Sequence, residues 1–395
     1  MKMIDKKNIK KIGIYIWELP YRFGGTESYA VKFAWALQQI FPDAFVQFVA
    51  EVYTKKDIPN NKSLIDRLNG LAGTNIDWKR AGLKPVLCSK KSIISRKIMY
   101  KKIENTSKGF DIFFYCSRGN FAFKAKKNIA IIHFPVWPIV QEKKREGKLD
   151  IPFLTKFKDN HYARTYDLFL PNSKYTEYWL KKIRPDIDSK KIIRFYPPIF
   201  PTKLTGEPKE KAILAVSRIE KTKKLEALIE AYKKSQFLTE NYAFWIAGNR
   251  DIEDAEYPER LMKLADGYNV HFFVSIPHDE LVSLYNRATF FWHSKGYGID
   301  ENLHPDQLEH FGMTTVEAMS AKCIPIVINK GGQPEIVAEG TGKTWNTLEE
   351  LASFTEEIAI SEEKIYSYSE AAYKRSMDFS MEELPKKLEM LLTKI

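Results

Sequence analysis

The chain is 395 residues long, 44% hydrophobic and 28% charged, which reads as a soluble globular protein with length enough for two domains, each with its own core. No apolar run approaches the ~20 residues of a spanning helix, and the three cysteines (Cys88, Cys116, Cys323) have no paired spacing, which excludes a transmembrane helix and a disulfide framework and points to a cytosolic protein. Charge is uneven: residues 1–200 hold 39 Lys and Arg against 18 Asp and Glu, a net +21, and the remainder 23 against 32, a net −9.

In chain order, Ile12–Trp17 is a short apolar run that stops at Glu18, a first strand rather than a signal peptide. Gly24-Gly25 then form a glycine turn before a helix over Thr26–Ile40, a junction suited to close approach of a phosphate or sugar. The G-x-G-x-x-G fingerprint of dinucleotide binding is absent. Further strands are expected at Ala44–Ala50, Asp111–Tyr115, Ile129–Phe134 and Leu168–Leu170, with His133 at the end of the Ile129–Phe134 strand. The Pro-rich segment Tyr196–Pro201 and the polar stretch to Glu210 read as a linker. Strands resume at Ala212–Val216, Ala243–Ala247, Val270–Val274, Thr289–Trp292 and Ile324–Ile328, with helices over Lys224–Lys234 and Asp279–Arg287. The tail, Glu362–Ile395, reads as helix, a break near Phe379-Ser380, then helix. Short apolar runs alternating with amphipathic stretches predict two α/β units with Rossmann-like parallel sheets facing each other across a cleft, their ligands at the carboxyl ends of the strands.

Two constellations in the second half carry chemistry. Arg218 and Lys223 follow Ala212–Val216, where fixed cations stabilise the charge that develops as a glycosyl–diphosphate bond breaks. Glu309 and Glu317 stand in EHFGMTTVEAMSAKCIPIVINKGGQPEIV, residues 309–337. Between them Phe311-Gly312-Met313 opens a helix, and a second glycine turn, Gly331-Gly332, follows the strand Ile324–Ile328. A helix N-terminus presents unpaired N–H groups and the positive end of the macrodipole, a ready anion site. Gly312 admits a ligand close to the backbone, and Thr314 and Thr315 add hydroxyls beside Met313. Glu317, about one turn on, can accept the two hydroxyls of a ribose, and Glu309 those of a transferred sugar. A ligand with hydroxyls at both ends and two negative charges in the middle is a nucleotide-sugar.

His271, His278, His293, His304 and His310 lack metal-ligand spacing, and no H-E-x-x-H or C-x-x-C occurs. No protein-bound metal is therefore expected, and no cofactor beyond the nucleotide diphosphate sugar as donor substrate. The basic first half suits an anionic partner: nucleic acid, an anionic bilayer surface or a phosphorylated acceptor. Nucleic acid is the weakest of these, because no aromatic stacking motif and no zinc-finger spacing accompanies the charge.

These residues resemble the retaining glycosyltransferases of the GT-B fold, sequence family 4 (glycosyl transferases group 1). The resemblance covers most of the chain and is strongest from Ala212 to Val337. Glu309 to Glu317 is similar to the family's E-x7-E motif. SRIEKTKKLE (217–226), with Arg218 and Lys223, is similar to its donor-phosphate segment, and FWIAGNRD, with Gly248, to a strand and turn at the donor site. HDELVSLYNRATFFWHS resembles the segment lining the base, and GGQPEIV the turn after the second donor strand. In the first half, GGTESYA with Gly25, His133-Phe134-Pro135, LPNSKYTEYWL and FYPPI are also similar. Two positions depart from the pattern: Lys322 and Ser217 replace common glycines. Residues 295–308 form a longer loop than many members carry, similar to that of mannosyltransferases that extend lipid-linked oligosaccharides from GDP-mannose.

The resemblance implies two Rossmann-like domains facing a central cleft: residues 1–200 for the acceptor, 201–372 for the nucleotide-sugar, and a C-terminal helix, 373–395, returning to the first. It implies a retaining, metal-independent hexosyltransferase of polysaccharide or glycan assembly, moving mannose from GDP-mannose to a hydroxyl of a glycan or lipid-linked acceptor. Glu309, His133, Arg218 and Lys223 would be catalytic. Gly25, Gly248, Gly312, Met313, Thr314 and Glu317 would bind the donor. The protein would be cytoplasmic, peripheral on the inner face of the membrane. A UDP-sugar donor, a GT-B epimerase or phosphorylase, a nucleic-acid-binding protein and a silent binding module are the competing readings.

Overall fold

Buried parallel strands carry apolar side chains on both faces, so each strand of this chain is a short, nearly continuous hydrophobic run. A computed structural model of the chain describes residues 6–17, 19, 24–88, 93–116, 121–135, 163–250 and 256–395. They divide into two units, Met1–Pro198 with Met381–Ile395, and Ile199–Ser380.

The first unit contains β1 (Lys11–Tyr15), β2 (Phe45–Val52), β3 (Ala81–Leu87), β4 (Ile112–Tyr115), β5 (Lys127–Ile132) and β6 (Leu168–Pro171). They form one parallel sheet in the order β3-β2-β1-β4-β5-β6. The helix Gly25–Ile40 crosses from β1 to β2, and the closing helix Leu384–Leu392 packs against it.

The second unit repeats the plan with β7 (Glu210–Val216), β8 (Ala243–Gly248), β9 (Val270–Val274), β10 (Ala288–His293), β11 (Ile324–Ile328) and β12 (Lys343–Trp345), in the order β12-β11-β10-β7-β8-β9. Its core interleaves Ile213, Ala215, Phe244, Ile246, Phe290, Trp292, Ile326 and Ile328 with Leu228, Ile229 and Tyr232 of the helix Leu225–Lys234. In each sheet the strand order reverses beside the first strand, between β1 and β4 and between β7 and β10. Crossovers on either side of such a reversal leave to opposite faces and open a crevice at the carboxyl ends of the two strands.

Several local expectations change. Gly25 is the first residue of its helix and not part of the turn; Gly24 is the N-cap, its N–H bonded to Glu27 Oε2 at 2.9 Å. Strand β5 ends at Ile132, so His133 lies in the bend beyond it and not on the strand. The second unit begins at Ile199, whose N–H bonds Phe379 O at 2.9 Å, and it retains the helix Glu362–Ser376; the return to the first unit comes at Met381. Lys322 takes the left-handed conformation (φ +64°) that its usual glycine would, and the Cys323 N–H closes on Ala318 O at 2.9 Å, a helix stop of the Schellman type. Among the described residues no helix is long and apolar enough to cross a membrane.

Candidate functional site

The carboxyl end of β7 runs through Ser217 and Arg218 into the turn Lys221–Lys223 and then the helix Leu225–Lys234. Neighbouring β10 ends at His293 and continues through Ser294 and Lys295. Ser294 Oγ donates to the carbonyls of Lys223 (2.9 Å) and Lys224 (3.0 Å), tying the two loops across the crevice. Lys224 is held left-handed at φ +57° by the same turn.

Four side chains meet there. Lys223 Nζ lies 2.9 Å from Glu309 Oε2, with His293 Nε2 at 3.7 Å and Lys295 Nζ at 3.8 Å from the same oxygen. Burial alone would raise the Glu309 pKa, but Lys223 first, then Lys295 and His293, hold it well below the usual carboxylate range. Burial lowers the His293 pKa against the pull of Glu309. Lys295 is likewise lowered, by burial first. The carboxylate is thus a fixed anion and hydrogen-bond acceptor, not an acid.

Backbone contacts place Glu309. Its carbonyl accepts the Gly332 N–H at 2.7 Å. A Cβ on Gly331 (φ +64°) would sit 2.3 Å from Glu309 O, and one on Gly332 2.4 Å from His310 O. Only glycines let the loop after β11 press so closely on the loop that carries the carboxylate. Gly312 is the left-handed N-cap of the helix Met313–Ser320, and a Cβ on it would lie 2.2 Å from Gln333 Nε2. Gln333 is fully buried, its Oε1 accepting from Thr315 Oγ1 at 2.9 Å. Met313 and Thr314, half-buried, form the first turn, where helical N–H groups have no intrahelical acceptor. On the same helix Glu317 Oε2 accepts from the buried Tyr285 hydroxyl at 3.2 Å. Burial first, then Glu317, raises the Tyr285 pKa well above that of a free phenol.

The structure therefore brings Lys223 against Glu309 beyond the end of β10, and Gly312, Met313, Thr314 and Glu317 lie on the helix that follows Glu309. Arg218 is set apart: its side chain is 66% exposed and bonds Glu220 Oε2 at 3.0 Å. Gly248 has a packing reason of its own, since a Cβ there would lie 1.6 Å from Ser217 O. Gly25 and His133 belong to the first unit. Gly25 is exposed. His133 is half-buried, its carbonyl accepting from Thr176 Oγ1 at 3.2 Å and its ring 5.4 Å from that of Tyr29, edge to face.

Sequence reasoning passed over His293, Lys295, Tyr285 and Gln333. The available signal for the first two was a polar His-Ser-Lys run directly after a buried strand. The reading that D-x-D is absent, with the other metal motifs, is incorrect: Asp186-Ile187-Asp188 is such a string, and it has structural partners, Asp186 accepting from Arg184 Nε and Nη2 at 2.8 Å and Asp188 capping the turn Ser189–Lys191.

Residues 199–374 match the family model described as glycosyl transferases group 1. The chain is 30% identical over 141 residues to the GDP-Man:Man(3)GlcNAc(2)-PP-Dol alpha-1,2-mannosyltransferase of Dictyostelium discoideum, covering 34% of this chain and 26% of that one. It is 26% identical over 247 residues to the alpha-1,3/1,6-mannosyltransferase ALG2 of Rhizomucor pusillus, 54% of each chain. These alignments span between 26% and 54% of the relatives' own length. Among solved structures, HepE of Anabaena, in complex with UDP and glucose, superposes with a TM-score of 0.68 at 14% identity, over 98% of this chain and 100% of that one. A glycosyltransferase of Rickettsia africae gives 0.70 at 16% identity, over 97% and 98%. The fold is GT-B, and the chain is similar to group 1 glycosyltransferases, mannosyltransferases among them.

Proposed function

We propose that this chain is a retaining, metal-independent hexosyltransferase that moves a sugar from a nucleotide diphosphate to a hydroxyl of a glycan or lipid-linked acceptor. The observation that carries the reading is the Lys223–Glu309 pair at the β7/β10 crevice, beside a helix N-terminus that also bears Glu317. Glu317 takes the ribose hydroxyls, with Tyr285 orienting its carboxylate. Glu309 takes hydroxyls of the departing sugar. Lys223 and the first turn of the helix Met313–Ser320 hold the diphosphate, and Arg218 meets it from the rim. Positive charge for the leaving group comes from side chains and helix dipole, so a metal ion is not required for that task. The first unit takes the acceptor; in this reading Gly25 is a donor-binding residue and His133 a catalytic one.

Retention follows from same-face attack. The bond from the anomeric carbon to the diphosphate oxygen breaks, the acceptor oxygen bonds to that carbon on the same face, and its proton passes to the leaving diphosphate. No separate base is needed.

Similarity to two mannosyltransferases, one of them named for GDP-Man, supports GDP-mannose as the donor; the UDP-bound HepE supports a UDP-sugar as the second reading. Calorimetric titration with GDP, UDP, ADP and their sugars is expected to give micromolar-range binding of one nucleotide class. Absence of binding by all of them would sink the transferase reading. The net +21 of residues 1–200 supports a lipid-linked acceptor on an anionic membrane face and a peripheral, cytoplasmic location, since a basic residue near such a surface gains about 1 kcal/mol. Flotation with anionic vesicles is expected at low salt and lost at high salt; a protein that stays at the bottom in both rules this out.

A further inference from the structure

The crevice holds more cations than carboxylates. Lys223 and Lys295 both lie within 4 Å of one Glu309 oxygen, with side chains only 15% and 17% exposed. The charged groups that act on Lys295 are two carboxylates, Glu309 and Glu220, and two further cations, Lys223 and Arg218. With Lys295 itself the count is three positive against two negative, to which any charge on His293 would only add. One of the two carboxylates is already engaged elsewhere: Glu220 takes Arg218 at 3.0 Å and Thr222 Oγ1 at 2.6 Å. That leaves Glu309 alone between two mostly buried ammoniums. An unbalanced charge so poorly exposed to water is costly to keep, and an anion is what balances it.

We propose that Lys295 is the second diphosphate-binding cation of the donor site, sharing the leaving phosphates with Lys223. The inference rests on the donor reading above and changes its residue assignment. The sequence motif points to Arg218 for this duty, yet Arg218 is two-thirds exposed and turned to Glu220. Lys295 comes from a different element, the carboxyl end of β10. The two lysines therefore approach from both sides of the strand-order reversal, where a diphosphate lying along the crevice meets both. A lysine binds such a ligand as a point charge, so the contribution scales with the number of phosphates present and not with the base.

The test is a calorimetric titration of the full chain, as wild type, Lys295→Met and Lys295→Arg, with GDP and GMP and with UDP and UMP. Lys295→Met is expected to weaken the bound nucleoside diphosphate by about tenfold or more, ~1.4 kcal/mol, and the matching monophosphate by less than about threefold. Lys295→Arg is expected to recover most of the loss. Glu309 keeps Lys223 at 2.9 Å when Lys295 is replaced, so no buried carboxylate is left unpaired, and a cooperative thermal transition of the Met variant is expected to show that a loss of binding is not a loss of folding. A wild type that binds a diphosphate, with a Met variant within about twofold of it, overturns the assignment of Lys295 and leaves the donor reading standing. A wild type that binds no nucleotide overturns both.

Discussion

Glu309→Ala is expected to lower sugar transfer by about 10²–10³-fold, the scale of removing one preorganised polar group from a transition-state site, while the affinity for free nucleoside diphosphate changes by less than about threefold. The split follows from position. Glu309 lies before the helix proposed to carry the nucleotide contacts, and its carboxylate is held ionised by Lys223 and Lys295. Its proposed partners are sugar hydroxyls, which are missing from the free diphosphate. Removing it also frees two lysines to meet phosphate, which works against any loss of nucleotide binding. Steady-state kinetics beside calorimetry checks the split, because loss of a transition-state contact lowers kcat and kcat/KM together. Equal losses in nucleotide affinity and turnover would assign Glu309 to the nucleotide instead.

Lys223→Ala is the second large effect, and it acts twice. It removes the cation proposed to meet the leaving diphosphate, with an expected loss of about 10²-fold in turnover. It also removes the closest partner of Glu309, at 2.9 Å, so the Glu309 pKa rises toward its ordinary value. The consequence for stability has a defined sign. A carboxylate depressed in the folded state stabilises the protein above its unfolded pKa, about 4.3 for glutamate, and that contribution is lost as pH falls through the folded value. The stability gap between wild type and Lys223→Ala, read by urea titration, is therefore expected to be full at pH 7 and to close in acid. A gap that widens in acid would show that the pair does not depress Glu309.

Much of this layout could be read without coordinates. Buried parallel strands write themselves as apolar runs, so ten of the twelve strands were expected within a few residues of their observed limits. The two that escaped, β3 (AGLKPVL) and β12 (KTW), are the ends of their sheets among the described residues. An edge strand tolerates a glycine, a lysine and Pro85, which blur its pattern. The glutamate pair and its glycines were legible because their spacing is local. His293 and Lys295 were not, because their meaning comes from which strand lies beside which. Nothing in the order of elements says that β10 pairs with β7 across an interval of some seventy residues; the handedness of crossovers settles it only once the whole sheet is laid out. Arg218 shows the opposite case: the motif is legible in the sequence, and the turn of its side chain to the neighbouring Glu220 is not.

The glycine pair at 331–332 has a thermodynamic corollary. With the Glu309 carbonyl clamped by the Gly332 amide and Gly331 flush against it, the carboxylate proposed to meet the sugar is carried on backbone already ordered. Orientation settled during folding is not charged again at each turnover. A bulkier residue at 331 would loosen that clamp, and its signature would be a less favourable activation entropy at nearly constant activation enthalpy, visible in the temperature dependence of kcat.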